Sequence, residues 1–546
     1  DETRQPASTR SPYGDNYRRF SEFAFAGEPV RIDVKCNMSF SEYTLIPAIK
    51  DIPSTVNGNV ISIYVDEPMQ LVLRLGDGID SNNRMLAIFA DPPEENVPNK
   101  KDSDVIWIEG WYETKNNELI LTTGQTLYIA PGAVCNSRVY TDGDNITVCG
   151  RGMIRDPFDT RTPNANGNNA NLMLTQGSNI KIDGIKIVDC RCYHIYSLNT
   201  HEIEINNVKL LSNQISTDGY CLSGSNIYIH DSFADIGDDV FTIDAAHRLY
   251  EDLVLGSTCG IFSFTKNRND ETYRNISIFR ADEAIFKNYY GTGGFSGAVF
   301  ENIIAVDCPF TPHLFASSDQ GDMTKNFVFK NISINSPTGT DVKTSSFRTY
   351  KNQLINIKNG DSFAFNFENL YIDGKLITDA SQFEIVDNSP SKASIKITTN
   401  ASSEPIPLDP NKTVLDTPYV HIDKSVTPLK TGDNIVPNPS LEDGAVEWIT
   451  VNFTRHELSK EAQDGKYSFY IPADKGEVGG VETIVTDGLN RGGKGEYLIE
   501  FYAKKAPGSP TDDIAVAFVY YYGEVAKNTP MKTVTKVEEF ELSGKW

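Results

Sequence analysis

Hydrophobic and polar residues alternate along most of this chain, in runs too short for helices. Between about residues 22 and 115, PVRIDVKC, VISIYVDE and QLVLRLGDG carry apolar side chains at every second position and are separated by Gly, Asn and Pro turns. Successive side chains of a strand point to opposite faces, so these runs predict half-buried strands, folded as a compact antiparallel β-sandwich.

From about residue 118 the alternation falls into a loose repeat: DNITVCGRGMI, SNIKIDGIKIVDC, HEIEINNVKLLSN, SNIYIHDSFAD, YEDLVLGS, RNISIFRADEAIF, ENIIAVDC and NFVFKNISIN. With Asn179, Glu202, Asn226, Asp252, Asn275, Asn302 and Asn326 taken as corresponding positions, the intervals are 23, 24, 26, 23, 27 and 24 residues. Short β-branched runs at that period, punctuated by Asn, Asp and Gly, predict a stacked β solenoid. The recurrent leucines of a leucine-rich repeat are missing, which leaves a parallel β-helix. Each strand of such a fold bonds to the coils above and below, and inward Ile, Val, Leu, Phe and Cys fill the axis. NFENLYIDGK, near residue 366, is the last rung read this way.

The predicted fold class is therefore all-β: a right-handed parallel β-helix with an N-terminal β-sandwich and a C-terminal jelly-roll module. Leader and sandwich are assigned to 1–117, the helix to 118–400, a Pro-, Ser- and Thr-rich linker to 401–432, and a second sandwich to 433–546. Trp107 and Trp111 are expected to pack at the first junction. In the last segment VPNPSLEDG followed by Trp448 resembles the jelly-roll carbohydrate-binding modules of polysaccharide hydrolases.

Composition narrows the partners. A formal charge of −24 argues against nucleic acid, whose binding rests on Lys and Arg neutralising phosphates. No apolar run reaches the ~18 residues of a membrane span, so no membrane insertion is expected. Six of the eight cysteines lie between Cys135 and Cys259 without C-x-x-C spacing; buried thiols are expected, with one or two disulfides as the alternative. The chain begins at Asp1, so an export signal is taken to be removed or outside this sequence. Of seven N-x-S/T sequons, those at Asn145, Asn275 and Asn331 open apolar alternations and are read as turn-then-strand signals.

The candidate chemistry lies in STDGYCLSGSNIYIHDSFADIGDDVFTID, residues 216–244. With a coil of about this length, Asp218 and the Asp238–Asp239 pair fall on neighbouring rungs, and rungs stack ~4.8 Å apart. Glycosidic hydrolysis needs one protonated carboxyl and one carboxylate, and clustered like charges supply both by raising the pKa of one member. Asp-Gly also marks ordinary turns, as at residues 142, 183 and 373, but a turn does not require two adjacent aspartates.

TDG followed some twenty residues later by GDD resembles the shared core of three inverting β-helix glycoside hydrolase groups: the polygalacturonases, the dextranase and isopullulanase family, and the α-1,3-glucanases. TGQTLYIAPGAV and DNITVCGRGMI look like their opening coils, so the resemblance covers roughly 118–375. It implies that Asp238 is the general acid and that Asp218 and Asp239 hold and deprotonate the attacking water. Polygalacturonases add a GHG and an R-I-K; here Cys259 and Gly260 stand where the His is expected, and no R-I-K follows. The N-T-G-D-D-A context of the α-1,3-glucanases is missing too. The dextranase and isopullulanase family is the nearest resemblance, with Thr242 where its lysine falls and Lys266 as a substitute.

His247, Lys266, Asp270, Lys287, Tyr289 and Tyr290 are the expected substrate-binding residues, the two tyrosines as an aromatic platform before GTGG. The resemblance implies a secreted, monomeric enzyme acting on a polysaccharide such as dextran, with no cofactor and no metal. The alternatives are a hydrolase of another glycan, a non-catalytic glycan-binding β-helix, and a calcium-dependent polysaccharide lyase.

Overall fold

The computed structural model describes residues 2–4, 17–76, 84–157, 170–212, 216–264, 271–281, 284–288, 295–305, 314–317, 324–335, 354–357, 362–388, 393–400 and 411–421, with isolated strands between 448 and 541. It divides into two units, 1–421 and 422–546. In the second, the described residues form three antiparallel strand pairs: Trp448–Val451 with Gly480–Thr483, Glu457–Ser459 with Ser468–Tyr470, and Ile514–Tyr521 with Thr533–Glu541. The rest of the expected jelly roll lies outside the described residues. No helix among them is long and apolar enough to cross a membrane.

The first unit is built on a parallel β-helix. Three ladders of parallel strands run along it, and each coil visits all three. The first passes through Arg138–Asp142, the start of Ala170–Asp183, and the starts of Tyr193–Asn206, Tyr220–His230 and Phe241–Ser257. The second takes the later halves of the same strands. The third takes the short strands Lys186–Val188, Lys209–Leu211 and Phe233–Ile236. Inward side chains form one continuous core, aliphatic at first through Ile180, Ile203 and Ile227. It becomes aromatic from Tyr220 onward, where Tyr220, Phe241, Phe262 and Phe286 stack at centroid spacings of 5.2, 5.4 and 5.0 Å. Those spacings follow the rung separation, because the parallel register puts like residues in line.

Among the described residues, two of the three turns of a coil are corners made by single residues with positive φ. Asn145, Asn179, Glu202, Asn226 and His247 turn the chain from the first ladder to the second. Asn207, Asp231, Asp252, Asn275, Asn302, Asn331 and Asn369 turn it from the second to the third. The series of corresponding positions expected from sequence therefore changes column between Asn226 and Asp252, and Asn326 belongs to neither. Asn tolerates the left-handed region, and its amide bonds to the next corner, which is why it recurs. Asn302 donates to Asn275 at 3.0 Å, Asn331 to Asn302 at 3.0 Å and Asn369 to Asn331 at 2.9 Å. The sequons at Asn145, Asn275 and Asn331 are corner residues whose side chains join such ladders.

Two N-terminal sheets share a core of Phe40, Leu45, Ile61, Ile63, Leu71 and Leu73. Phe20, Ile46, Val72 and Phe89 pack in turn on Val188, Leu211, Phe233 and Phe279 of the helix. Boundaries differ from the expected ones. Val105–Ile108 and Trp111–Tyr112 pair with Thr126–Ile129 and Val134–Cys135, so helix strands begin at Val105 rather than 118. Alternation is the same in a sandwich strand and in a first rung, so the sequence pattern does not separate them. Lys412–Tyr419, inside the expected linker, pairs with Phe40–Ile46 as the edge of an N-terminal sheet. Trp107 packs on Tyr128 at 4.2 Å between ring centroids, whereas Trp111 is 60% exposed and does not pack as expected. The seven described cysteines are free thiols, six buried and Cys149 half-buried.

Candidate active site

Asp218 and Asp239 occupy the same place on consecutive rungs of the first ladder. Tyr220 pairs with Phe241, the Gly219 amide donates to the Asp239 carbonyl at 2.9 Å, and the Tyr220 amide to the Val240 carbonyl at 2.7 Å. Asp238 lies one residue earlier, in the turn that opens the rung. Oxygens of Asp238 and Asp239 and the Cys259 sulfur lie within 4.8 Å of one another. The GDD turn thus brings both side chains to one place, as the motif requires.

Each carboxyl is held differently. Asp238 accepts the Ser216 amide on Oδ2 at 2.8 Å and the Asp239 amide on Oδ1 at 3.0 Å. Asp239 Oδ1 accepts the Gly260 amide at 3.3 Å and lies 2.5 Å from Lys287 Nζ, which also donates to Cys259 Sγ at 3.1 Å. Asp218 Oδ2 accepts from Thr242 Oγ1 at 3.0 Å, with Cys221 Sγ 3.7 Å away. Asp218 is half-buried at its surface, but the groups around its carboxyl leave it poorly solvated. Its pKa is pushed up to about 8, first by that desolvation and then by the charges of Asp238 and Asp239. Burial of two carboxylates beside a third leaves a proton on Asp218 at neutral pH.

Behind the turn, His194 is fully buried, and both its amide and its Nδ1 contact the Asp218 carbonyl, at 2.9 and 3.0 Å. Burial lowers the His194 pKa to about 4, so the ring stays neutral and donates there.

Of the expected binding residues, Lys287 joins the cluster. His247 does not: it is an exposed corner residue, five positions beyond Thr242 on an extended strand, ~16 Å away at the usual rise. Lys266, Asp270, Tyr289 and Tyr290 lie outside the described residues. Sequence reasoning missed Tyr193, His194 and Tyr196, which stand one rung before Asp218; counting one coil back from TDG would have found them.

Gly260 admits the lysine. A Cβ there would sit 2.9 Å from Lys287 Cδ and 3.1 Å from Asp239 Oδ1. The flexible lysine would yield first. Gly260→Ala is therefore expected to leave the melting temperature nearly unchanged while displacing Lys287 from Asp239, read as a shift in the pH–activity profile; an unchanged profile would show that the contact is immaterial.

No family model matches the chain. A stretch of 141 residues, 24% of this chain and 32% of the relative, is 26% identical to the Aspergillus flavus protein named "Probable rhamnogalacturonase C". Another of 174 residues, 28% of this chain and 41% of the relative, is 29% identical to an exopolygalacturonase of Arabidopsis thaliana. The likeness is to the rhamnogalacturonase and polygalacturonase group. The chain spans less than half the length of either relative. Among solved structures, Dex49A from Penicillium minioluteum aligns over 69% of this chain and 83% of its own, at 12% identity and a TM-score of 0.47.

Proposed function

We propose that this protein hydrolyses glycosidic bonds in a polysaccharide, with Asp218, Asp238 and Asp239 dividing acid and base duties. One observation carries the reading: on neighbouring rungs the charges of Asp238 and Asp239 act on Asp218, whose pKa is pushed up to about 8, while Asp239 lies against an ammonium. Such a site holds a proton for the leaving oxygen beside a carboxylate that takes one from the attacking water, so acid and base are restored by exchange of a proton after each hydrolysis. The names of the two relatives, a rhamnogalacturonase and an exopolygalacturonase, support the same reaction class.

The motif resemblance assigns the acid step to Asp238, flanked by Asp218 and Asp239, while the electrostatics rest the unliganded cluster's proton on Asp218. We take that proton as the one Asp238 delivers once substrate is bound, leaving Asp218 as a carboxylate, so activity is expected to fall as pH rises through about 8, where the cluster loses it. The preferred substrate is an α-glucan such as dextran, because Lys287, the described cation at the cluster, is already engaged by Asp239. A second reading, a galacturonate-containing polymer, is favoured by the names of the relatives. Extracellular location, a monomeric state and sugar binding by 433–546 belong to the same proposal.

The test is incubation with dextran, pullulan, α-1,3-glucan and polygalacturonate, with and without chelator, following the first-formed anomers by proton NMR. Chelator-insensitive release of inverted sugar from a neutral glucan is expected. Inversion comes from the motif resemblance. Oxygens of Asp238 and Asp239 come within 4.8 Å of each other, closer than the roughly 6.5–9.5 Å usual for inverting pairs, so the anomer is decisive. Unsaturated products would mean a lyase, and retention of glycan without turnover a binder.

A further inference from the structure

The first ladder carries an outward column that runs straight past the carboxylates. Pair by pair along the axis it reads Ile120, Tyr140, Met173, Tyr196, Cys221, Thr242, Ser263, Lys287. Thr242 bonds to Asp218 and Lys287 to Asp239, so the cluster divides the column in two. On the N-terminal side its members are apolar or aromatic. The rung that carries Tyr196 also places Tyr193 directly before Asp218, since Ile195 pairs with Tyr220 and the His194 amide bonds to the Asp218 carbonyl.

Tyr193 and Tyr196 lie 5.1 Å apart between ring centroids, inclined at 49°. Both are half-buried and rest on Tyr140, Ala170 and Met173, a small apolar cluster separate from the helix core. Leu198, on the same strand, is 50% exposed. The outward face of the third ladder is covered by the N-terminal sheets, but this cluster is not part of that interface. Aromatic rings with an apolar face and a polar rim suit the C–H face of a sugar ring. The rung spacing of ~4.8 Å is close to the length of one pyranose unit.

We propose that Tyr193 and Tyr196 form a subsite for an uncharged pyranose unit of the substrate, stacked one rung N-terminal to the carboxylate cluster. The proposal rests on the glycan reading above and names the chemistry on the N-terminal side of the cluster. Among the described residues, the column from Ile120 to Ser263 holds no basic side chain that would meet a uronate carboxylate. The first cation, Lys287, stands beyond the cluster and is turned to Asp239.

The experiment uses the full chain, with Tyr193→Ala/Tyr196→Ala beside the parent, in native gels cast with dextran, pullulan or polygalacturonate and in turnover of the same polymers. The parent is expected to be retarded by a neutral glucan and the double alanine variant to lose about three- to tenfold in affinity, with KM raised and kcat held within about twofold. Equal retardation and KM for variant and parent would overturn the subsite and leave the hydrolase standing. Retardation without turnover, lost in the variant, would keep the subsite and overturn the hydrolase. Retention or turnover confined to polygalacturonate would overturn the uncharged ring, and neither with any polymer would overturn both readings. In the parent alone, saturating glucan is expected to shield Tyr193 and Tyr196 from nitration; unchanged nitration overturns the subsite even if the alanine variant does not fold.

Discussion

Asp238→Asn and Asp218→Asn are each expected to lower turnover by on the order of 10²–10⁴-fold, and Asp218→Asn is expected to make the protein more stable at pH 8 to 9. The second half separates a functional carboxyl from a turn residue. The Asp218 pKa is raised from 3.8 to about 8, so the native state keeps a proton that the unfolded chain releases between those values. The stability this group contributes is fully present below pH 3.8 and is lost as pH rises through about 8. Asparagine does not titrate, and its carbonyl can still accept from Thr242. At pH 8 to 9 the variant should gain ~1–3 kcal/mol over the parent, the usual cost of a buried, ill-solvated group, and the gain should vanish near pH 4. A turn aspartate would behave in the opposite way, keeping activity and losing stability on substitution. Thermal melts of both proteins across pH 4 to 9, beside their turnover on the polymer that the parent cleaves, make the comparison. Stability that falls at every pH together with intact turnover would remove Asp218 from the site.

Such a result would also say how far the site was legible in the chain. The interval from Asp218 to Asp239 is one coil, and a coil length read from apolar spacing was enough to stack them. The same spacing misassigned corners, because each coil has more than one and His247 takes an asparagine's place in the first column. A repeat length cannot say which corner of the coil a residue makes. Lys287 was visible as a charge; its approach to Asp239 depends on Gly260 having no side chain, a rung away. Tyr193 and Tyr196 carry no motif, and only their register with Asp218 and Cys221 gives them a role. Lys412–Tyr419 looked like a linker because its partner strand lies some 370 residues earlier, beyond any local pattern.

The second large effect is expected far from the carboxylates, where the N-terminal sheets meet the helix. Lys209 projects outward from the third ladder, is fully buried, and gives its ammonium to both oxygens of Asp91 at 2.8 Å and to Asn207 at 2.9 Å. Gln70 also donates to Asp91, at 3.1 Å. Asp91→Ala would leave that ammonium buried without its counter-charge, a change that typically costs ~3–5 kcal/mol. The pH dependence identifies the cause. Desolvation lowers the Lys209 pKa from 10.5 to about 8, against the attraction of Asp91, so its burial costs most below pH 8 and the cost is relieved as pH rises toward 10.5. Without Asp91 the lysine pKa falls further. The deficit of the variant should therefore be largest at pH 6 to 7 and shrink by pH 10. Adding Lys209→Met should recover much of the loss, because an apolar side chain suits a site already lined by Phe89 and its neighbours. A deficit under about 1 kcal/mol, or one that does not change with pH, would mean that the ion pair is solvated and that the two layers are held by their other contacts, among them the Phe20, Phe89, Phe233 and Phe279 packing and the Arg18–Asp235 pair. The expected result binds the N-terminal sheets to the same coils, 209 to 235, that carry Asp218, so that the layer on one face of the helix supports the site on another.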